Sequence, residues 1–525
     1  MIMPQDRLWT LNEITQATKG TLVSGYGYGH ASASANVSVN VQTGAGGEAD
    51  IGVSGIAIDS CSAAKGDMFI ALLGDHHDGH DFIAGAIAHG AVAVLTSKDY
   101  VPASHAKKTN KSVAAIRVAD TTTALTDLAQ FARKRHADYG GNRRIAITGS
   151  VGKTGTRMLV ETALAAYGKT HASQGNLNNH IGVPLSLARM PHDARFAVFE
   201  VGMNNPGEIT PLSKLIAPDI AIITQVSESH LGNFASLTDI AHAKAEIFAG
   251  FAANKNNTRI AIINSDDGHG DVLTAIAHKA GAMAIYTCGK AKTADYRLRQ
   301  VTRTAEGLEV TAEFHGMPVE FTMKMTYPHW GYAGVLALAV IDQLGLPLTP
   351  ATTAIANAED LVGRGRRLKC RLDGIAFTLI DDAYNASPSS MRAAITALKT
   401  DPQAKGSDKR KIAVLGDMLE LGDEEEAIAH HTDLLDALRD AKVTHFIGVG
   451  SYMSHLAKLA DKHGISATAI SDATQALATL RQILRPDAVV LIKASHGMHL
   501  WQLVEKLEAT TKQSNPNPKG DHDAA

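Results

Sequence analysis

The stretch "IAITGSVGKTGTRMLVETAL", residues 145 to 164, decides how the chain is read. An apolar run of strand length, "RIAIT", enters a Gly-rich loop, and "RMLVETALAAY" then carries helical periodicity. Strand, Gly-rich loop and helix together make the setting of a phosphate-cradling loop. Gly149 and Gly152 let backbone N–H groups turn inward, and the helix N-terminus adds partial positive charge. Lys153 is placed to reach the β- and γ-phosphates of a nucleotide, and the Thr154 hydroxyl to join a Mg2+ shell. The pattern G-x-x-x-x-G-K-[ST] fails, because Ile147 stands where its first glycine belongs. The loop is therefore a shorter one, Thr148, Gly149, Ser150, Val151, Gly152, Lys153, Thr154 and Gly155. An ordinary strand–helix turn with a solvated lysine is the plain alternative, and Gly-Lys-Thr in this setting speaks against it.

Outward from the loop, strand-length apolar runs alternate with helical patterns to about residue 345: "RIAIT", "FAVFEVG", "PDIAIITQV", "TRIAIIN" and "GAMAIYT". Such alternation predicts a parallel sheet with helices on both faces. A second series, "AFTLIDD", "KIAVLGD", "HFIGVG", "ATAIS" and "AVVLIKAS", fills 370–510 and predicts a doubly wound, Rossmann-like domain. Before both series, "LWTLNEITQATKG" reads as a helix ending at Gly20, and "AIAHGAVAVLTS" as helix, turn at Gly90, then strand. The expected class is α/β with three domains: 1–118, a central phosphate-loop domain at 119–358 and a C-terminal domain at 359–512. Residues 24–52, rich in Gly, Ser, Ala and Asn, form either a flexible insertion or a hairpin, and 513–525 a disordered tail.

At 525 residues the chain is too long for one core. A net charge of −3 offers no general attraction to nucleic acid or anionic membrane. Cys61, Cys288 and Cys370 are far apart and unpaired in sequence, which fits a reducing compartment. No basic segment followed by an apolar run opens the sequence, and "GYAGVLALAVI" (331–341) is short of the roughly 20 residues of a spanning helix. A cytoplasmic protein without stable membrane insertion is expected.

The shorter loop resembles that of the Mur ligase family of ATP-dependent amide-forming enzymes. Further segments resemble the same family in its order: "GNLNNHIGVPLSL" (175–187), "FEVGMNNPGEI" (199–209), "SHLGNFASLTDIAHAKAEIF" (229–248), "GRGRR" (363–367), "LIDDAYNASPSSM" (379–391), "VLGDMLELG" (414–422) and "IKASHGM" (492–498). The resemblance runs from about residue 8 to 508, and "DDAYNASP" and "LGDMLELG" narrow it to the branch that adds D-alanyl-D-alanine to UDP-N-acetylmuramoyl-tripeptide. It implies that "IDSCSAAKGDMFIALLGDHHDGHDFI" (58–83) belongs to a uracil-nucleotide substrate domain, with Ser60, Gly74, Asp78, Gly79 and His80 binding substrate. A monomer using ATP and two Mg2+ ions is implied, making an acyl phosphate that the amine attacks in peptidoglycan precursor synthesis.

Residue by residue, the resemblance implies that Thr154, Glu200, His230 and Lys244 hold metal, Lys244 as a carbamate. Together with Lys153, Glu200, His230 and Lys244 form the catalytic set. It puts Asn179 near the γ-phosphate, and Arg364 or Arg366, Asp382 and Asn385 on the nucleotide. Tyr384 either stacks on adenine or simply packs, while Asp417, Glu420, Lys493 and Ser495 face the dipeptide and the peptide end. For each, a plain structural role competes: strand-end glutamate, core histidine, solvated lysine, capping asparagine.

Departures from the family pattern are Cys61 for arginine, Ala333 for asparagine, His496 for arginine or asparagine, His180 for glutamate, and a histidine shifted to His430 or His431. The cluster "DHHDGHD" (75–81) has zinc-ligand residue types at a spacing that fits no closed site. The competing functions are folylpolyglutamate synthase, from the same superfamily, and a P-loop kinase or ATPase. Whether the tripeptide ends in meso-diaminopimelate or lysine is not encoded in any legible way.

Overall fold

The computed structural model describes residues 7–23, 52–74, 76–98, 113–138, 140–228, 233–254, 258–304, 306–399, 401 and 410–513. Three α/β domains carry three main sheets. The central sheet has nine strands, ordered Thr170–Ala172, Phe196–Glu200, Arg143–Thr148, Ile220–Ile223, Ile260–Asn264, Ala284–Gly289, Tyr296–Arg303, Leu308–Phe314 and Met317–Met323. All neighbours are parallel up to Tyr296–Arg303. Side chains alternate between its faces. Ile145 and Ile147 pack with Leu159 and Val160 of the helix Lys153–Ala165, whereas Ala146 lies in the core on the other face with Val183 and Leu185. With both faces covered, these strands read as unbroken apolar runs.

Two antiparallel strands close one edge of this sheet, an addition that the strand–helix alternation did not foretell. Tyr296–Arg303 pairs with Leu308–Phe314, which pairs with Met317–Met323. Charged and polar residues fill one face of this meander, and a bulge between Leu298 and Gln300 breaks the period-two pattern. The helix His329–Gln343 is apolar all round because it is enclosed between the meander and the helices Lys153–Ala165 and Leu348–Ala356. Among the described residues, no helix is long and apolar enough to cross a membrane.

The N-terminal sheet runs Thr21–Val23, Ala114–Arg117, Ala93–Thr96, Asp67–Ile70, Gly55–Ala57, parallel except for its first pair. The first helix spans Leu11–Thr18 and stops at Lys19 in a left-handed conformation, just short of the expected Gly20. Gly90 turns the helix Ile83–His89 into its strand at φ 119°. Gly52, counted with the insertion on its glycine content, instead pairs with Thr10 in a short ribbon; residues 24–51 lie outside the described residues. Trp9 ties this domain to the central one: its indole N–H donates to the Ala188 carbonyl at 2.8 Å, and the Arg135 guanidinium lies 4.4 Å over its ring.

The C-terminal sheet runs Arg366–Leu372, Ile375–Asp382, Val489–Lys493, Lys411–Gly416, His445–Val449, Ser466–Ile470, with only the first pair antiparallel. The helix Trp501–Gln513 continues one residue into the expected tail; 514–525 lie outside the described residues. In the connection from the central domain, Gly363 and Gly365 both have positive φ, and a Cβ on Gly365 would meet the Tyr327 ring at 2.7 Å. Beside this connection, Asp401 binds Arg303 of the central meander and Arg367 of the first C-terminal strand.

Candidate active site

The phosphate loop is built by its glycines and by the neighbouring strand. Gly149 has φ 150°, and a Cβ there would come within 2.0 Å of the Thr224 hydroxyl. Gly152, at φ 88°, starts the helix Lys153–Ala165. The Ser150 amide donates to the Gln225 carbonyl at 2.7 Å, its hydroxyl to the Ser227 carbonyl at 2.9 Å, and the Thr224 hydroxyl to the Val151 carbonyl at 2.6 Å. A Cβ on Gly155 would meet the Trp330 ring at 2.4 Å, so the absence of a side chain there lets two helices close together. Thr148 is buried, with its hydroxyl unpaired among the described residues.

Lys153 donates from Nζ to the Gly149 carbonyl at 2.8 Å. Burial pushes its ammonium below the usual lysine range; the Glu200 carboxylate opposes that shift and the Arg364 guanidinium adds to it. Glu200 ends the strand Phe196–Glu200 opposite Ile147, one residue before the loop begins. It is 2% exposed: Oε1 accepts from the Asn178 amide at 2.9 Å, while the buried Oε2 has no hydrogen-bond partner among the described residues. Lys244, on the helix Leu237–Ala245, is 1% exposed. Burial first, and then the charge of Lys153, push its ammonium well below the usual range; Glu246, Glu200 and Glu208 pull the other way. Lys153, Glu200 and Lys244 thus form one electrostatic cluster. His230 lies outside the described residues.

The asparagine segment divides its work differently from the sequence reading. Asn179 Oδ1 accepts from the Ile181 and Gly182 amides at 3.1 and 2.8 Å, the capping alternative for this residue. Asn178 is the one that meets Glu200, and Gly202 leaves it room, since a Cβ there would lie 2.9 Å from the Asn178 amide carbon. Nothing in the spacing marked Asn178, because three asparagines in four residues read alike. The Asn176 side chain lies close enough to Tyr384 of the C-terminal domain to favour its ionised form, against the upward push of burial.

That contact brings the C-terminal residues to the loop. The Arg364 guanidinium lies 4.4 Å over the Tyr384 ring, and its field reaches Lys153. Arg366 instead pairs with Asp381 at 3.1 Å and with Glu508, so of the two candidates Arg364 faces the phosphate loop. Asp382 Oδ2 lies 2.9 Å from Lys493 Nζ, which also donates to the Asn385 carbonyl at 2.8 Å. Burial raises the Asp382 carboxyl against the pull of Lys493, and pushes His329 down to about 4, helped by Lys493 and Arg364. Asp417 accepts from the Met453 amide at 2.7 Å, at the start of the helix Ser451–Lys462. Ser495 Oγ accepts from the Leu419 amide at 3.0 Å.

Ser60, Gly74, Asp78, Gly79 and His80 all lie in the N-terminal domain, and Asp78 and His80 are in direct contact. Asp78 Oδ1 accepts from the His80 amide at 3.0 Å and meets its Nδ1 at 2.5 Å; its Oδ2 binds Lys98, whose ammonium holds the carboxyl well below the usual range. His80 Nε2 accepts from the Ser97 amide at 3.1 Å. A Cβ on Gly79 would meet the Leu72 carbonyl at 2.5 Å. Among the described residues no three His, Cys, Asp or Glu side chains form a metal cluster, in "DHHDGHD" or elsewhere; Asp75 lies outside them.

Family models match three successive segments: the Mur ligase family, catalytic domain at 52–133; the Mur ligase middle domain at 147–341; and the Mur ligase, glutamate ligase domain at 365–496. The UDP-N-acetylmuramoyl-tripeptide–D-alanyl-D-alanine ligase of Bacillus subtilis is 33% identical over 465 residues, covering 87% of this chain and 93% of its own. That of Rickettsia prowazekii is 32% identical over 452 residues, covering 86% and 94%. A crystal structure of MurF from Acinetobacter baumannii superposes with a TM-score of 0.75 at 25% identity, over 95% of this chain and 99% of that one. With the phosphate loop, Glu200 and Lys244 in one buried cluster and these relatives matched along nearly their whole length, the chain belongs to the Mur ligase family.

Proposed function

We propose that this chain joins D-alanyl-D-alanine to UDP-N-acetylmuramoyl-tripeptide at the expense of ATP, giving the pentapeptide precursor of peptidoglycan in the cytoplasm. The observation that carries the reading is the buried cluster of Lys153, Glu200 and Lys244 beside the loop, with the charge of Arg364 reaching Lys153. A carboxylate and a γ-phosphate repel each other, and cations around them lower that barrier. Lys153 and Arg364 supply fixed positive charge to the phosphates. Transfer of the γ-phosphoryl group makes the carboxylate an acyl phosphate; the dipeptide amine attacks its carbonyl carbon, phosphate leaves and the amine loses a proton. Asp382 and Asn385 would hold the nucleotide from the C-terminal side, and closure of the domains around the site would keep water from the acyl phosphate.

The donor set fits Mg2+. Glu200 offers a buried carboxylate oxygen without a hydrogen bond and Thr154 a hydroxyl, both hard oxygen ligands. Thr154 and Glu200 would hold one ion, and Glu200, His230 and a carbamylated Lys244 a second; when bound, the ions neutralise charge on the phosphates. Burial favours the neutral Lys244 amine, which is the form that adds carbon dioxide and releases a proton. Ser60, Gly74, Asp78, Gly79 and His80 would take the uracil nucleotide end, and a monomer suffices for the whole site.

Phosphate release from ATP tests the reading, with muramoyl tripeptides ending in meso-diaminopimelate or in lysine, each with and without D-alanyl-D-alanine. Release that needs both tripeptide and dipeptide is expected. Turnover with a folate and glutamate, or with ATP alone, would overturn it.

A further inference from the structure

Tyr384 follows the strand Ile375–Asp382 at the carboxyl edge of the C-terminal sheet, and the connection from the central domain passes directly beside it. The Tyr384 amide donates to the Gly363 carbonyl at 3.1 Å, and a Cβ on Gly363, at φ 73°, would lie 2.8 Å from the Tyr384 Cβ. Glycine at 363 therefore lets the two segments close together. Arg364 comes next, its amide tied to the Leu361 carbonyl at 3.1 Å, and its guanidinium lies 4.4 Å from the centre of the Tyr384 ring. His496 packs on Tyr384 in turn at 5.3 Å, and Trp501 stacks on His496 at 5.9 Å with 12° between the rings. Planar groups in contact thus run from the helix Trp501–Gln513 out to Arg364.

At the outer end of this run stands an arginine without a counter-charge. Arg366, two residues on, binds Asp381 and Glu508, whereas half-buried Arg364 forms no ion pair among the described residues. Its charge acts on Lys153 at the phosphate loop, and the fields of Arg364 and Glu200 both reach the Tyr384 hydroxyl, which burial raises. The Asn176 side chain beside that hydroxyl belongs to the same segment as Asn178, whose amide donates to Glu200. Two cations held near each other, one of them without a carboxylate, are stabilised by an anion that both can reach. Arginine is long and rotamer-rich, and a ring under its guanidinium plane narrows where it can point. The face of Tyr384 that carries the guanidinium is closed to a purine ring.

We propose that Tyr384 is a positioning residue: its ring holds the Arg364 guanidinium toward the phosphate loop, where Arg364 and Lys153 together take up the terminal phosphate of a nucleotide. The inference rests on the ligase reading above. Stacking on the base would make Tyr384 serve ADP and ATP alike. Acting through Arg364, it serves chiefly the nucleotide that carries the γ-phosphate.

The test is equilibrium binding of ATP and of ADP, with Mg2+, to the full chain, read by titration calorimetry. Y384L removes the ring; Y384F keeps it and loses only the hydroxyl. Y384L is expected to weaken ATP about tenfold and ADP no more than about twofold, and Y384F to stay within about twofold of wild type for both. In a chain already carrying R364A, Y384L is expected to weaken ATP by less than about twofold more, because the group it positions is gone. Equal losses for ATP and ADP, additive losses in the double variant, or an unchanged ATP affinity in Y384L would each overturn the proposal. R364K keeps the charge without the plane and changes only a half-buried side chain, so it decides the matter should Y384L not fold. It is expected to weaken ATP about as much as R364A does, and near-wild-type affinity overturns the proposal. Wild type that binds ATP but releases no phosphate with tripeptide and dipeptide present sinks the ligase reading and this inference with it. Wild-type ligation with Y384L unchanged in ATP affinity sinks this inference alone.

Discussion

Lys244 is a lysine placed where an ammonium is costly. Burial pushes its folded-state pKa well below 10.5, so the folded chain gives up this proton more readily than the unfolded chain does, and an ammonium here costs stability. The cost is present at pH values below 10.5 and fades as the unfolded lysine also deprotonates, so the sign is destabilising and diminishes as pH rises. Lys244→Met is therefore expected to raise the melting temperature at neutral pH, by a margin that shrinks toward the lysine range, while abolishing ligation. Thermal unfolding of both forms across pH checks the first part. Lys244→Ala should lose ligation likewise, and added bicarbonate should not restore it. At this scale the places of Lys153, at the start of a helix after the loop, and of Glu200, at a strand end, were legible in the sequence, and the structure brings Lys244 into the same electrostatic cluster; their roles are part of the proposal. That Asn178 is the one to meet Glu200 was not legible, because which amide turns that way depends on the space above Gly202.

At the scale of elements, the helices Lys153–Ala165 and His329–Gln343 meet at Gly155 and Trp330. Gly155→Ala forces a Cβ into an indole ring backed by core, and overpacking of this kind costs about 1–3 kcal/mol. Because Gly155 adjoins the loop, the variant should bind ATP more weakly as well as unfold earlier, which calorimetry and nucleotide titration would read. The connection into the C-terminal domain has its own titration. Burial raises the Asp360 carboxyl from 3.8 to about 6, so the folded chain holds a proton that the unfolded chain gives up. Stability from this group is therefore present below that window and lost as pH rises from about 4 to about 6. Asp360→Asn keeps an acceptor for the Thr326 hydroxyl and should be more stable than wild type above that window, by up to about 3 kcal/mol, with little difference below it. Urea unfolding at the two pH extremes decides this. The parallel strands were legible because both their faces are apolar; the meander 296–323 was not, since a half-exposed, bulged strand lacks that signature.

Across the whole molecule, Asp401 joins two domains through Arg303 and Arg367 while itself 1% exposed. Removing a buried partner strands its counter-charges, typically at about 3–5 kcal/mol. Asp401→Ala should thus lower overall stability and separate the melting of the C-terminal domain from the rest, visible as a broadened or split calorimetric transition. The three-domain order was legible from two strand–helix series and the position of the loop; this joint was not, because its members stand 98 and 34 residues apart in sequence. The loop's own bond from Lys153 to the Gly149 carbonyl has a final consequence. That bond uses one of the three N–H donors of the ammonium and holds the side chain along the loop, so a phosphate meets a lysine already in position with two donors left to give. The favourable share of its binding lies largely in charge neutralisation within a buried space. Raising ionic strength should for that reason weaken nucleotide capture less than it weakens exposed pairs such as Arg392 with Glu228.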